Sequence, residues 1–152
     1  MSPEIIGLIL GTLFVVPTLY IVRKNHLEAW AWPIFLVTLP VYYMFFGLLA
    51  MDGAVIVSEF LWGLPFIATG LITWRFQSQL THYLLALGWL SHGFYDYYHD
   101  FLFVNEGVFS WYPVFCAMID IVVGAYLLTS STRIDQRAPH GAHTPSPKDP
   151  LD

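Results

Sequence analysis

The sequence predicts an all-α integral membrane protein, a bundle of five transmembrane helices with its N-terminus outside and its C-terminus in the cytoplasm. Three observations carry that expectation. Hydrophobic residues make up 57% of the 152 and charged residues only 11%, whereas soluble domains carry about 25% charged residues. So little charge cannot cover a surface that faces water, and lipid asks for none. The apolar residues also fall into five runs, each near the roughly 20 residues that one crossing needs. Finally, the basic residues lie on one side only. Arg23 and Lys24 follow the first run, Arg75 the third, and Arg133, Arg137 and Lys148 the fifth, as the positive-inside rule requires. A count of four or six spans would break that alternation.

The first span covers residues 5–22 and contains Pro17. Glu4 precedes it and Arg23 and Lys24 follow, the reverse of a signal peptide's polarity, so an uncleaved first helix is expected. A polar connection leads to the second span, 29–51, with Pro33 and Pro40 inside it. Met51, Asp52 and Gly53 form a tight turn before the third span, 54–74, which holds Glu59 and Pro65. A short polar loop precedes the fourth span, 80–98, and an aromatic-rich loop, 99–111, precedes the fifth, 112–130. Prolines are tolerated within such spans because neighbouring helices can satisfy the freed carbonyls. Trp30, Trp32, Trp74, Trp111 and Tyr112 fall near the span ends, where an aromatic belt would lie. Residues 131–152 hold Pro139, Pro145, Pro147 and Pro150 among charges and small residues, which predicts a disordered cytoplasmic tail. His140 and His143 belong to that tail and are read as solvated.

Composition also excludes functions. The net charge is -5 with no basic stripe, so nucleic acid has no electrostatic footprint to bind. Cys116 is the only cysteine, which rules out a disulfide within the chain and a thiolate metal cluster. It reads as a small buried hydrophobe.

The residues that stand out are the ionisable ones inside the spans, because a carboxylate in hydrocarbon costs about 2.5–3.5 kcal/mol on insertion scales. Glu59, His92, Asp96 and Asp120 are such groups. At 1.5 Å rise per residue they lie roughly 8, 10, 4 and 12 Å from the outer end of their spans. Three helices thus bring polar groups to one layer in the outer half of the bilayer. His92, Asp96 and His99 follow an i, i+4, i+7 spacing and share one helix face, with Tyr95 at its border. On the fifth span Cys116, Asp120 and Gly124 form a stripe that permits close helix approach. Glu59, His92, Asp96 and Asp120 are therefore expected to form one connected cluster, with Tyr95 and His99 at its outer edge.

Three uses of that layer remain open. The cluster could act as an acid–base or cation-stabilising pocket for an apolar ligand, with Glu59, His92, Asp96 and Asp120 in catalytic roles. Trp89, Phe94, Tyr95, Tyr98 and His99 would then contact the ligand. Alternatively, His92, Asp96 and His99 could hold a transition metal, with Glu59 or Asp120 completing the shell; no other cofactor is expected. The third use is interhelical hydrogen bonding alone.

The run Ser58-Glu59-Phe60-Leu61-Trp62-Gly63-Leu64-Pro65-Phe66 and the stretch Gly93-Phe94-Tyr95-Asp96-Tyr97-Tyr98 resemble membrane segments of the emopamil-binding and sigma-2-receptor-like proteins, the EXPERA group. Asp120 falls where that group carries a polar residue in its last helix. The resemblance covers the C-terminal three helices, about half the chain. It implies a lipid-facing cavity for sterols or cationic amphiphiles and, in the isomerase members, acid–base residues that move a double bond through a carbocation. The leading expectation is thus a protein that binds or isomerises an apolar small molecule such as a sterol, terpenoid or lipid. A metal-dependent membrane enzyme is the second reading, and a non-catalytic subunit of a membrane complex the third. Expected partners are membrane lipids, the apolar ligand, and a membrane protein or a second copy of the chain. The membrane could be a bacterial inner membrane or a eukaryotic endomembrane.

Overall fold

A helix occupies each of the five apolar runs. The structure, a computed structural model, describes residues 1–102 and 104–137, with side chains through residue 130. The elements are α1 (Pro3–Lys24), α2 (Glu28–Leu49), α3 (Gly53–Arg75), α4 (Gln79–Tyr97), the single turn α5 (His99–Leu102) and α6 (Tyr112–Arg137). No strand occurs among the described residues. α6 runs past Ser130 to Arg137; the rest of the expected tail, with His140 and His143, lies outside the described residues.

Local chemistry sets the helix ends. Pro3 opens α1, where a missing N–H costs nothing, and Glu4 at its start and Arg23 and Lys24 at its end match the helix dipole. Asp52 caps α3, its carboxylate accepting from the backbone N–H of Ala54 at 3.0 Å and Val55 at 3.1 Å. Ser78 and Thr81 form a reciprocal capping box that starts α4. Pro17, Pro33, Pro40 and Pro65 all stay inside continuous helices.

Four helices are long and apolar enough to cross a membrane: α1, α2, α3 and residues 112–130 of α6. Their outer faces expose large apolar side chains, Leu13, Phe14, Val16, Leu61 and Trp62 among them, each more than half accessible. Apolar patches of that extent do not persist in water. α4 has 19 residues, enough in length, but carries His82, His92 and Asp96 and is less apolar than the others.

The helices pack in the series α1–α6–α4–α3–α2. Glycines set the close approaches. A Cβ on Gly7 would meet the Trp111 carbonyl just before α6 at 2.6 Å, and one on Gly11 the Phe115 carbonyl of α6 at 2.9 Å, so these two residues seat α1 on the start of α6. Gly93 of α4 faces Asp120 and Ile121, and Gly124 of α6 faces Leu90, so that α4 and α6 nearly touch. α1 and α2, at the two ends of the series, meet only lightly. The core between them holds Val15, Leu36, Leu85, Val123 and Leu127 around Trp32 and Trp89. Those indoles pack edge to face, centroids 5.9 Å apart, and Trp89 Nε1 donates to the Trp32 carbonyl at 3.2 Å. Trp32, expected in an interfacial belt, is instead 1% exposed, whereas Trp30 and Trp74 are about half exposed.

Candidate functional site

The close packing of α4 on α6 at Gly93 brings His92 and Asp96, one turn apart on α4, against Asp120. All three are 0–1% exposed. His92 Nδ1 lies 2.7 Å from Asp120 Oδ2, a hydrogen bond. Asp96 Oδ2 lies 3.3 Å from the same nitrogen but forms no hydrogen bond, and neither does its Oδ1. Asp120 Oδ1 and His92 Nε2 likewise lack partners. The Tyr43 hydroxyl of α2 lies beside Asp96, near enough for a loose contact but without a hydrogen bond of ordinary geometry. One donor atom from each of His92, Asp96 and Asp120 lies within 4.8 Å of the others.

Glu59 belongs to a different set. Tyr95 donates its hydroxyl to Glu59 Oε2 at 2.6 Å. His99 Nε2 lies 2.8 Å from Oε1, and the side-chain amide of Asn105 donates to the same oxygen at 3.2 Å. Asn105 also donates to the Tyr43 carbonyl at 3.1 Å and accepts from the Gly107 N–H at 3.2 Å, which ties the loop before α6 to α2 and α3. Both carboxylate oxygens of Glu59 are thus satisfied.

The single expected cluster therefore resolves into two hydrogen-bonded sets. Aromatic rings stand between them: Tyr95 lies 5.6 Å from the His92 ring and 5.8 Å from the His99 ring, and Tyr43 stacks on His99 at 4.2 Å. The expected metal set of His92, Asp96 and His99 is not assembled; Asp120 takes the third place. The helical spacing assumed a continuous helix through residue 99, but α4 ends at Tyr97 with Tyr98 as its cap. His99 starts a new turn and swings to Glu59, fully buried rather than at an outer edge. Tyr98 is half exposed and meets neither set. Tyr43 and Asn105 were missed: one looks like any aromatic residue in an apolar span, the other like a loop residue.

Between α1 and α2 lies a cavity of about 620 Å³. Its walls come from both helices, including Phe14, Phe35 and Phe45, and its floor from α6 and Trp89. Trp89 is the expected ligand-contacting residue that reaches it. Asp120 is the one charged group among the lining residues, and Cys116 lies one turn before it. The volume falls within the roughly 300–1,000 Å³ of small-molecule sites. A mostly apolar cavity of this size can hold an apolar body. Asp120, buried behind its wall and backed by an imidazole, is the group placed to meet one polar or cationic atom of that body or to exchange a proton with it.

The fold and the site together define a helical protein with several helices apolar enough for a membrane and a buried His–Asp–Asp group beside an apolar cavity. Compared with known proteins, the chain matches no protein-family model, no curated protein and no solved structure.

Proposed function

We propose that this protein crosses the membrane five times and binds an apolar small molecule, of sterol, terpenoid or lipid class, in the cavity between α1 and α2. The carrying observation is the cavity itself: about 620 Å³, walled by apolar and aromatic side chains, with Asp120 as its one charged group. It lies where two helices fail to close on each other, so a ligand dissolved in the bilayer enters sideways without crossing water. Asp120, held by His92, fixes the polar atom of the ligand. In an isomerising reaction the same pair would carry a proton to and from a double bond. The resemblance of residues 58–66 and 93–98 to the EXPERA group points toward the same ligand classes.

The fifth crossing is α4. Its polar residues face the bundle, with His92, Asp96 and Trp89 buried, so a helix less apolar in composition can still be accommodated in lipid. The basic residues after the first, third and fifth spans put the C-terminus in the cytoplasm. Asp52→Cys and Glu106→Cys should then react with an impermeant thiol reagent from the extracytoplasmic side; labelling from the cytoplasm would refute the orientation.

Mass spectrometry of molecules extracted from the purified protein tests the binding reading. One apolar class should be enriched over bulk lipid, and Cys116→Trp, which fills the cavity, should abolish the enrichment. Extracts that match bulk membrane composition in both proteins would refute it.

A further inference from the structure

We propose that His92, Asp96 and Asp120 hold a divalent first-row transition metal ion, with zinc as the best fit to the donor set. The inference rests on the triad alone and goes beyond the apolar-ligand reading.

The three side chains converge. One ligand atom from each lies within 4.8 Å of the others, and they come from two helices locked together at Gly93 and Gly124. The 3.3 Å between His92 Nδ1 and Asp96 Oδ2 is about the separation of two ligands on a tetrahedral zinc ion with bonds near 2.0–2.1 Å. Asp120 Oδ2, at 2.7 Å from the same nitrogen, needs to draw back by about 0.6 Å to reach that separation.

The second observation concerns what the triad lacks. Buried carboxylates normally collect hydrogen bonds or a counter-charge. Glu59 does so with three donors. Asp96 has no hydrogen bond of ordinary geometry on either oxygen, only the 3.3 Å approach of His92 Nδ1, and Asp120 has one buried oxygen without a partner. No lysine or arginine lies in α4 or among the described side chains of α6. Metal binding requires its ligands deprotonated, and a dication then balances the two carboxylates at the point where the ligand atoms meet. The donor chemistry narrows the choice. An imidazole nitrogen favours zinc, iron, nickel or copper(II) over magnesium, calcium and manganese, and the absence of thiolate in the set disfavours copper(I). Three protein ligands leave a coordination position open, as in catalytic rather than structural zinc sites. Asp120, one of the three ligands, is also among the residues that line the cavity.

The test is metal analysis of the full-length protein, purified in detergent from zinc-supplemented cells without a histidine tag. The wild type should carry about one zinc per chain, removable by chelator and restored by added Zn²⁺. Asp96→Asn and Asp120→Asn should each lower affinity about tenfold or more, while Asp100→Asn, at the exposed end of α5, should match the wild type. Cobalt substitution of the chelated wild type should give the intense visible bands of a low-symmetry four-coordinate site, a readout that stands even if the triad variants fail to fold. Wild-type protein that takes up no zinc would overturn the inference. So would zinc that persists unchanged in both folded triad variants, since it would sit elsewhere, as at His140 and His143, or a cobalt spectrum of the weak octahedral type. Metal-free protein that still carries an enriched apolar ligand would sink this inference and leave the cavity reading intact; zinc without a ligand would do the reverse.

Discussion

Two buried acidic sets sit side by side in this bundle, and they differ in how completely their polar atoms are satisfied. Glu59 accepts from Tyr95, His99 and Asn105, and the same asparagine anchors the loop before α6. This set resembles a structural joint: every oxygen has a donor, and the donors come from α4, α5 and a loop that would otherwise be loose. The His92–Asp96–Asp120 set has the same ingredients but leaves three carboxylate oxygens and a ring nitrogen without partners. Folding alone has no use for such atoms, because apolar residues would fill the space at lower cost. The contrast teaches that two sets alike in burial and residue type can still differ in hydrogen-bond satisfaction.

The largest expected effect follows from the satisfied set. Glu59→Ala deprives three donors of their acceptor, two of them shut away from water, and should cost about 3 kcal/mol or more of unfolding free energy. Denaturant unfolding in detergent would measure it; a loss below about 1 kcal/mol would mean that the set is no joint. A smaller effect is expected at the contact that assembles the triad. Gly93→Leu places a side chain where even a Cβ would sit 3.0 Å from Ile121 and 3.1 Å from Asp120. It should cost about 1–3 kcal/mol by overpacking and, by separating α4 from α6, remove the enriched apolar ligand. Retention of that ligand at wild-type level would show that the His92–Asp120 contact is not needed. The smallest stability effect is expected for Asp120→Asn, which keeps the shape and an acceptor for His92. Its unfolding free energy should stay within about 1 kcal/mol of wild type while ligand enrichment falls. A stability loss equal to that of Glu59→Ala would erase the distinction between the two sets.

Much of this architecture is legible in the sequence, and the failures have physical causes. Each of the five apolar runs forms a long helix, four of them long and apolar enough to cross a membrane, because a run of about 20 apolar residues suits a helix of about 30 Å. Depth along a span suggests that Glu59, His92, Asp96 and Asp120 could meet, and the structure brings three of them together, but depth carries no azimuth, so it could not divide them into two sets. The Cys116–Asp120–Gly124 stripe foretold the close approach of α6, and Gly124 indeed meets Leu90. His99 was misassigned because helical periodicity was carried two residues past the end of α4 at Tyr97. Trp32 looked interfacial from its position yet packs on Trp89, a pairing that depends on which helices are neighbours. The cavity has no sequence signal at all, since it arises from the lack of contact between α1 and α2 and not from any residue.

The central claim is that the His92–Asp96–Asp120 set is kept for a ligand and not for the fold. The most direct measurement is the unfolding free energy of the double variant Asp96→Asn/Asp120→Asn against wild type, both in chelator so that no bound metal stabilises either. Removing two poorly partnered buried carboxylates while keeping their shape should leave stability equal to wild type or higher. A loss of about 3 kcal/mol or more would mean that the carboxylates hold the helices together, and would contradict the account.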